Sequence, residues 1–147
     1  MRRVALLLLL AGCGGGTRPD GGAATSLECV PFARAESGIV LYGDAADWWE
    51  EAVGRYSRGA TPEPGGVLVF ARTGRLPHGH VSVVASVRGP REITVDHANW
   101  VNGRIGRDET VQDVSDANDW SAVRVWWSPS AALGARAYPV RGFVGPR

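Results

Sequence analysis

An α+β domain is the fold class this chain predicts, with N-terminal helices packed on a small, curled antiparallel sheet. Three observations point there. Helical spacing of apolar residues is confined to the early part of the chain, before residue 57. β-branched runs separated by Gly/Pro turns occupy most of the remaining chain. The length and composition, 147 residues with 44% hydrophobic and 21% charged, suit one domain with a real core and are too small for two.

The first residues are expected to lie outside that fold. Arg2 and Arg3 precede an apolar run over residues 4–11, shorter than the roughly 20 residues a membrane-spanning helix needs. The run ends Leu10-Ala11-Gly12-Cys13. A basic start, a leucine run, two small residues and a cysteine, in that order, resemble the leader and lipobox of bacterial lipoproteins. The resemblance implies a signal peptide over residues 1–12, cleavage before Cys13 and acylation of Cys13. Several acyl chains on one residue anchor a protein stably, as a single chain does not. The expected address is therefore an exported protein held on the cell envelope by lipid. Residues 13–25 are Gly/Thr/Pro/Asp-rich without apolar period and read as a tether, which leaves residues 26–147 for the domain.

Within the domain, residues 30–38 predict a short helix, with Pro31 tolerated because it lies in the first turn. Residues 45–56 predict a second. Asp44 is its expected N-cap, and Trp48, Trp49, Ala52, Val53 and Tyr56 fall at helical spacing. After Pro62-Glu63-Pro64-Gly65-Gly66 come five expected strands, over residues 67–71, 80–87, 92–100, 110–114 and 121–127. Residues 138–147 fit no element.

Charge and cysteine count narrow the function. All 16 basic residues are arginine, and the net charge is +1. That balance gives no electrostatic footprint for nucleic acid. There are two cysteines, so if Cys13 carries lipid, Cys29 is an unpaired thiol in an exported protein, where such a residue is unusual. Cys29 precedes the first helix, where the positive helix end favours a thiolate and its amide can help form an oxyanion hole. His80 opens a strand directly after Gly79, a glycine that lets another backbone approach closely. Strand alternation in Ile93-Thr94-Val95-Asp96-His97-Ala98-Asn99 puts Ile93, Val95, His97 and Asn99 on one face. This face begins apolar and turns polar, as a core face running into a site does. His97, assisted by Asn99, is thus the expected orienter of His80, and Asp96 is expected to face solvent. A thiol, a base and an orienter are the parts of a cysteine hydrolase.

Glu28-Cys29-Val30, Pro64-Gly65-Gly66-Val67-Leu68-Val69-Phe70, Gly79-His80-Val81 and His97-Ala98-Asn99-Trp100 together resemble the CHAP domain, the cysteine, histidine-dependent amidohydrolase/peptidase family. The likeness covers about residues 26–127. It implies a papain-like core, hydrolysis of amide bonds (mostly in peptidoglycan), Cys29, His80, His97 and Asn99 as catalytic residues, and no metal or cofactor. Three positions depart from the family pattern. His97 stands where an acidic residue is usual, Gly66 replaces an Asp, and Glu28 replaces a frequent Gln, with a charge that opposes the thiolate.

Other readings use the same residues. His78, His80 and His97 are a possible three-nitrogen zinc set with Cys29 irrelevant. Loss of catalytic power would leave an envelope-binding lipoprotein that recognises peptidoglycan. Trp100, beside Asn99, is expected to line the substrate groove, where a flat aromatic face suits a sugar ring or a peptide side chain. Trp48-Trp49 and Trp126-Trp127 are candidates for a docking patch.

Overall fold

The computed structural model describes residues 26–146; the expected leader and tether fall outside them. Helix α1 spans Cys29–Ser37, and Gly38, at φ 73°, ends it in the left-handed conformation that glycine adopts without steric cost. A 3₁₀ turn over Ala45–Asp47 leads into α2, Trp48–Glu51. The second helix is thus much shorter than the spacing predicts. Residues 52–56 form turns closed by Ala52 carbonyl bonds to the amides of Arg55 and Tyr56, and Gly54 is left-handed. Asp44 is not a side-chain cap; its carboxylate is held by Arg72 and His78 instead.

Eight strands complete the domain: β1 Arg58–Gly59, β2 Val67–Phe70, β3 His80–Gly89, β4 Glu92–Ala98, β5 Ile105–Asp113, β6 Ala122–Trp127, β7 Ala132–Leu133 and β8 Tyr138–Val144. All pair antiparallel. The consecutive run β2-β3-β4-β5-β6 is closed by β8, which pairs with both β2 and β6. The result is mostly β: the curled antiparallel sheet closes into a six-stranded barrel, with few helices packed on its outer face. The closing strand is the one that residues 138–147 conceal. Pro139 and Gly142 interrupt its pattern, and Gly142 sits at φ 141° against the Gly59 carbonyl and the Trp49 ring, with no room for a Cβ.

Alternation in β2 and β3 divides the core in two. Leu68, Phe70 and Val84 face the barrel interior with Ile93, Val95, Val111, Val123 and Phe143. Val67, Val69, Val81 and Val83 face outward, under a layer built from Ala33, Ile39, Leu41, Trp48 and Ala52. Trp48 is therefore core, and of the four candidate patch tryptophans only Trp127 is well exposed.

Phe143 of β8 tests the closure. It is buried and meets the Trp120 ring edge-on at 5.6 Å. Phe143→Ala is expected to cost about 3–5 kcal/mol in urea unfolding, the range for core Phe truncation, whereas exposed Val87→Ala should stay within about 0.5 kcal/mol. Equal, small effects would mean that β8 does not complete the core.

Candidate active site

Cys29 opens α1 and is partly buried against the outer, helix-side core. It lines an open cavity of about 290 Å³ with Glu28, Gly43, Asp44 and His78. Burial pushes its thiol above the ordinary value. The Val81 amide opposes this, the Glu28 charge reinforces it, and the amides of Val30 and of Cys29 itself also oppose it. The expectation that the helix end lowers the thiol is thus outweighed: desolvation disfavours the thiolate more than the nearby amides favour it. The opposing charge of Glu28 acts as expected.

His80 begins β3. The preceding Gly79 has φ 72°, and a Cβ there would meet Ala46 and the Phe70 carbonyl at 2.6–2.7 Å. The missing side chain lets the 3₁₀ turn lie against the strand entry, where the Ala46 amide donates to the His78 carbonyl at 3.0 Å. The His80 ring turns into the barrel interior, 3% exposed, among Phe70, Trp100 and His97. Its Nε2 lies 3.1 Å from His97 Nδ1. This buried contact is the centre of the candidate site.

His97 is fully buried on β4. Besides His80, its Nδ1 meets Ser82 Oγ at 2.9 Å, and its Nε2 meets Glu109 Oε2 at 2.9 Å. Trp100 lies nearly parallel to the ring, at 13° and 5.8 Å. Asp96 projects to the other side, as alternation requires: Oδ1 accepts the Asp108 amide at 2.7 Å and Oδ2 accepts from Arg107 at 3.2 Å. It is half-buried in this pairing and touches neither histidine.

Two expected placements, those of Asn99 and Trp100, come out differently, and the rival three-histidine set does not assemble. Asn99 is left-handed, φ 65°, so the strand stops at Ala98 and alternation no longer applies. Its Oδ1 accepts the Gly103 amide at 2.8 Å and closes a loop, and it makes no hydrogen bond to either histidine. Trp100 lines a separate cavity of about 130 Å³ with His97, Arg104 and Glu109, not the one at Cys29. His78 is 75% exposed and paired with Asp44 at 3.0 Å, so the three imidazoles do not converge. Among the described residues no three metal-ligating side chains gather.

Cys29 and His80 lie on opposite sides of β3, and no hydrogen bond joins them. Sequence reasoning missed Ser82 and Glu109. Ser82 is legible in hindsight from its alternation with His80. Glu109 is not, because an irregularity in β5 sets its direction.

Burial, and then the neighbouring His97, hold His80 well below the ordinary imidazole value. The folded state therefore takes up this proton less readily than the unfolded one. Its contribution to stability is present above about pH 6.5, the unfolded value, and is lost as pH falls below that toward the folded value. The urea midpoint of the wild type is expected to drop more steeply between pH 7 and pH 5 than that of His80→Gln. Parallel profiles would contradict the burial of a neutral ring.

Comparisons with known proteins agree with this architecture. No curated protein matches the chain. A solved crystal structure of Ly7917 is similar in fold at TM-score 0.53 and 16% identity, covering 86% of this chain and 56% of that one. A second structure of it, with the hydrolyzing product of MDP, gives 0.52 at the same identity and coverage. An N-acetylmuramoyl-L-alanine amidase from Staphylococcus aureus gives 0.51 at 20% identity, covering 78% of this chain and 30% of that one. The chain thus spans about half the length of Ly7917 and under a third of the amidase. A model of the CHAP domain matches residues 18–99, more than half of the chain and inclusive of Cys29, His80 and His97, and the chain belongs to that family.

Proposed function

We propose that the domain is a cysteine amidohydrolase acting on amide bonds of peptidoglycan. Membership of the CHAP family supports it, as do folds shared with an amidase and with a protein solved with the hydrolyzing product of MDP. The observation that carries the reading is the buried 3.1 Å contact between His80 Nε2 and His97 Nδ1. With Nε2 engaged, Nδ1 is the His80 nitrogen that remains for a proton from Cys29.

The reaction then runs through a thioester. Cys29 passes its S–H proton to His80 Nδ1 while sulfur attacks the amide carbonyl carbon, and negative charge develops on the carbonyl oxygen beside the first-turn amides of α1. His80 returns the proton to the departing nitrogen as the C–N bond breaks and the amine leaves. Water, losing a proton to His80, attacks the thioester, and the thiol is regenerated as the acid departs. His97 fixes the His80 ring. Sulfur and imidazole lie on opposite sides of β3, so the first transfer requires that substrate binding bring them together. Lipid on Cys13 would keep this activity at the envelope.

The second reading is a binding lipoprotein with little turnover. It is favoured by the raised thiol and by the separation of Cys29 from His80 across β3.

Digestion of purified peptidoglycan with the domain lacking its first 25 residues separates the two. The hydrolase should release new amino groups without new reducing sugar ends. Cys29→Ala and His80→Ala should abolish release while leaving circular dichroism unchanged. His97→Ala should slow it about 1,000-fold or more, and Asp96→Ala far less. Release that survives Cys29→Ala refutes the thioester. Binding to the polymer with no release establishes the second reading.

A further inference from the structure

The polar line does not end at His97. Its second nitrogen, Nε2, meets the carboxylate of Glu109 at 2.9 Å, on β5 and beyond the stretch matched by the family model. Several features of the chain bring that carboxylate to the ring. Val95 pairs with Glu109 and His97 with Gly106, so Arg107 and Asp108 together oppose Asp96 alone. This is a β-bulge, which re-aims a side chain next to it. Asp108 takes the left-handed conformation, φ 53°. Asp96 pins the bulge by accepting from both of its residues, and Arg107 is tied further to Glu36 at 2.6 Å. The carboxylate lies where a side chain at Gly106 would be: a Cβ there would come within 2.5–2.7 Å of its three atoms.

The chemistry of the contact is directional. A carboxylate has only acceptor sites, so His97 Nε2 carries the proton and Nδ1 the lone pair. Nδ1 in turn accepts from His80 Nε2, with the Ser82 hydroxyl beside it at 2.9 Å. His80 Nδ1 is then left with its lone pair, the state a general base requires. We propose that Glu109 is a positioning residue for the thiol chemistry, setting the tautomer of His97 and, through it, that of His80. This rests on the cysteine–histidine reading above. When His80 takes the thiol proton, the Glu109 charge also stabilises the imidazolium through the intervening ring. Glu109 is 13% exposed by side chain, and the charged groups lining its cavity are Arg104 and Arg107.

The test is Glu109→Gln in the active domain, with peptidoglycan turnover and iodoacetamide labelling of Cys29 measured across pH. An amide N–H can donate to His97 Nε2 and invert both tautomers. The expected result is a fall in kcat of about 10- to 100-fold, the size of effect known for hydrogen-bond partners that orient a metal-ligating imidazole, with KM unchanged. Labelling of the folded protein should slow in parallel. Glu109→Asp, which keeps the charge, should retain more activity than Glu109→Gln. Gly106→Ala is a second route if Glu109→Gln does not fold: its methyl displaces the carboxylate and should reproduce the kcat loss. Wild-type kcat in Glu109→Gln or Gly106→Ala, with Cys29→Ala and His80→Ala inactive, overturns the role of Glu109 and leaves the thioester intact. Full activity in Cys29→Ala or His80→Ala overturns both.

Discussion

The buried contact between His80 and His97 is the constraint around which the barrel is arranged. Two imidazoles inside an apolar interior have lost their water, and each nitrogen left without a partner would cost about 1–3 kcal/mol. The surrounding residues answer that cost. Ser82 and Glu109 complete the His97 ring, and Trp100 and Phe70 cover the pair. Apolar packing by Val84, Val95 and Phe143 fills the barrel interior around them. Three of the four ring nitrogens in this line thus have a hydrogen-bonding neighbour, as groups placed so deep require.

That line also explains departures from regular strand geometry. The irregular stretch of β5 would be a defect in a sheet built only for packing. Here it offsets Glu109 toward His97, and Asp96 holds it in place. Asp96 thus has a structural task on the face opposite the histidines, which accounts for a carboxylate next to His97 in sequence that takes no part in its bonding. Gly79 does comparable work at the other histidine, bringing the 3₁₀ turn against the entry of β3 so that the Cys29 cavity and His80 share one end of the strand.

Much of this is legible in the residues and some is not. The first helix, the strands around His80 and His97, and the division of Asp96 from His97 follow from period and turn chemistry, which are local. Barrel closure is not local. Tyr138–Val144 contains a proline and a glycine, and it is a strand because β2 and β6 each offer it an edge. Asn99 departs from its expected place because alternation ends at Ala98, one residue before a left-handed turn. Trp100 has the sequence position of a groove residue, beside Asn99, and instead it packs flat on His97. The thiol departs from expectation because the helix end is readable in sequence, whereas burial of the sulfur is a property of the packed domain.

The tautomers are the most direct measure of whether this line is poised for chemistry. Nitrogen-15 shifts of the imidazoles, recorded on the histidine-labelled domain near pH 7.5, distinguish a protonated from an unprotonated ring nitrogen. Both His80 and His97 are expected to carry their proton on Nε2, which leaves the Nδ1 of His80 with its lone pair. A proton on His80 Nδ1 would leave Cys29 without a base and contradict the mechanism at its centre.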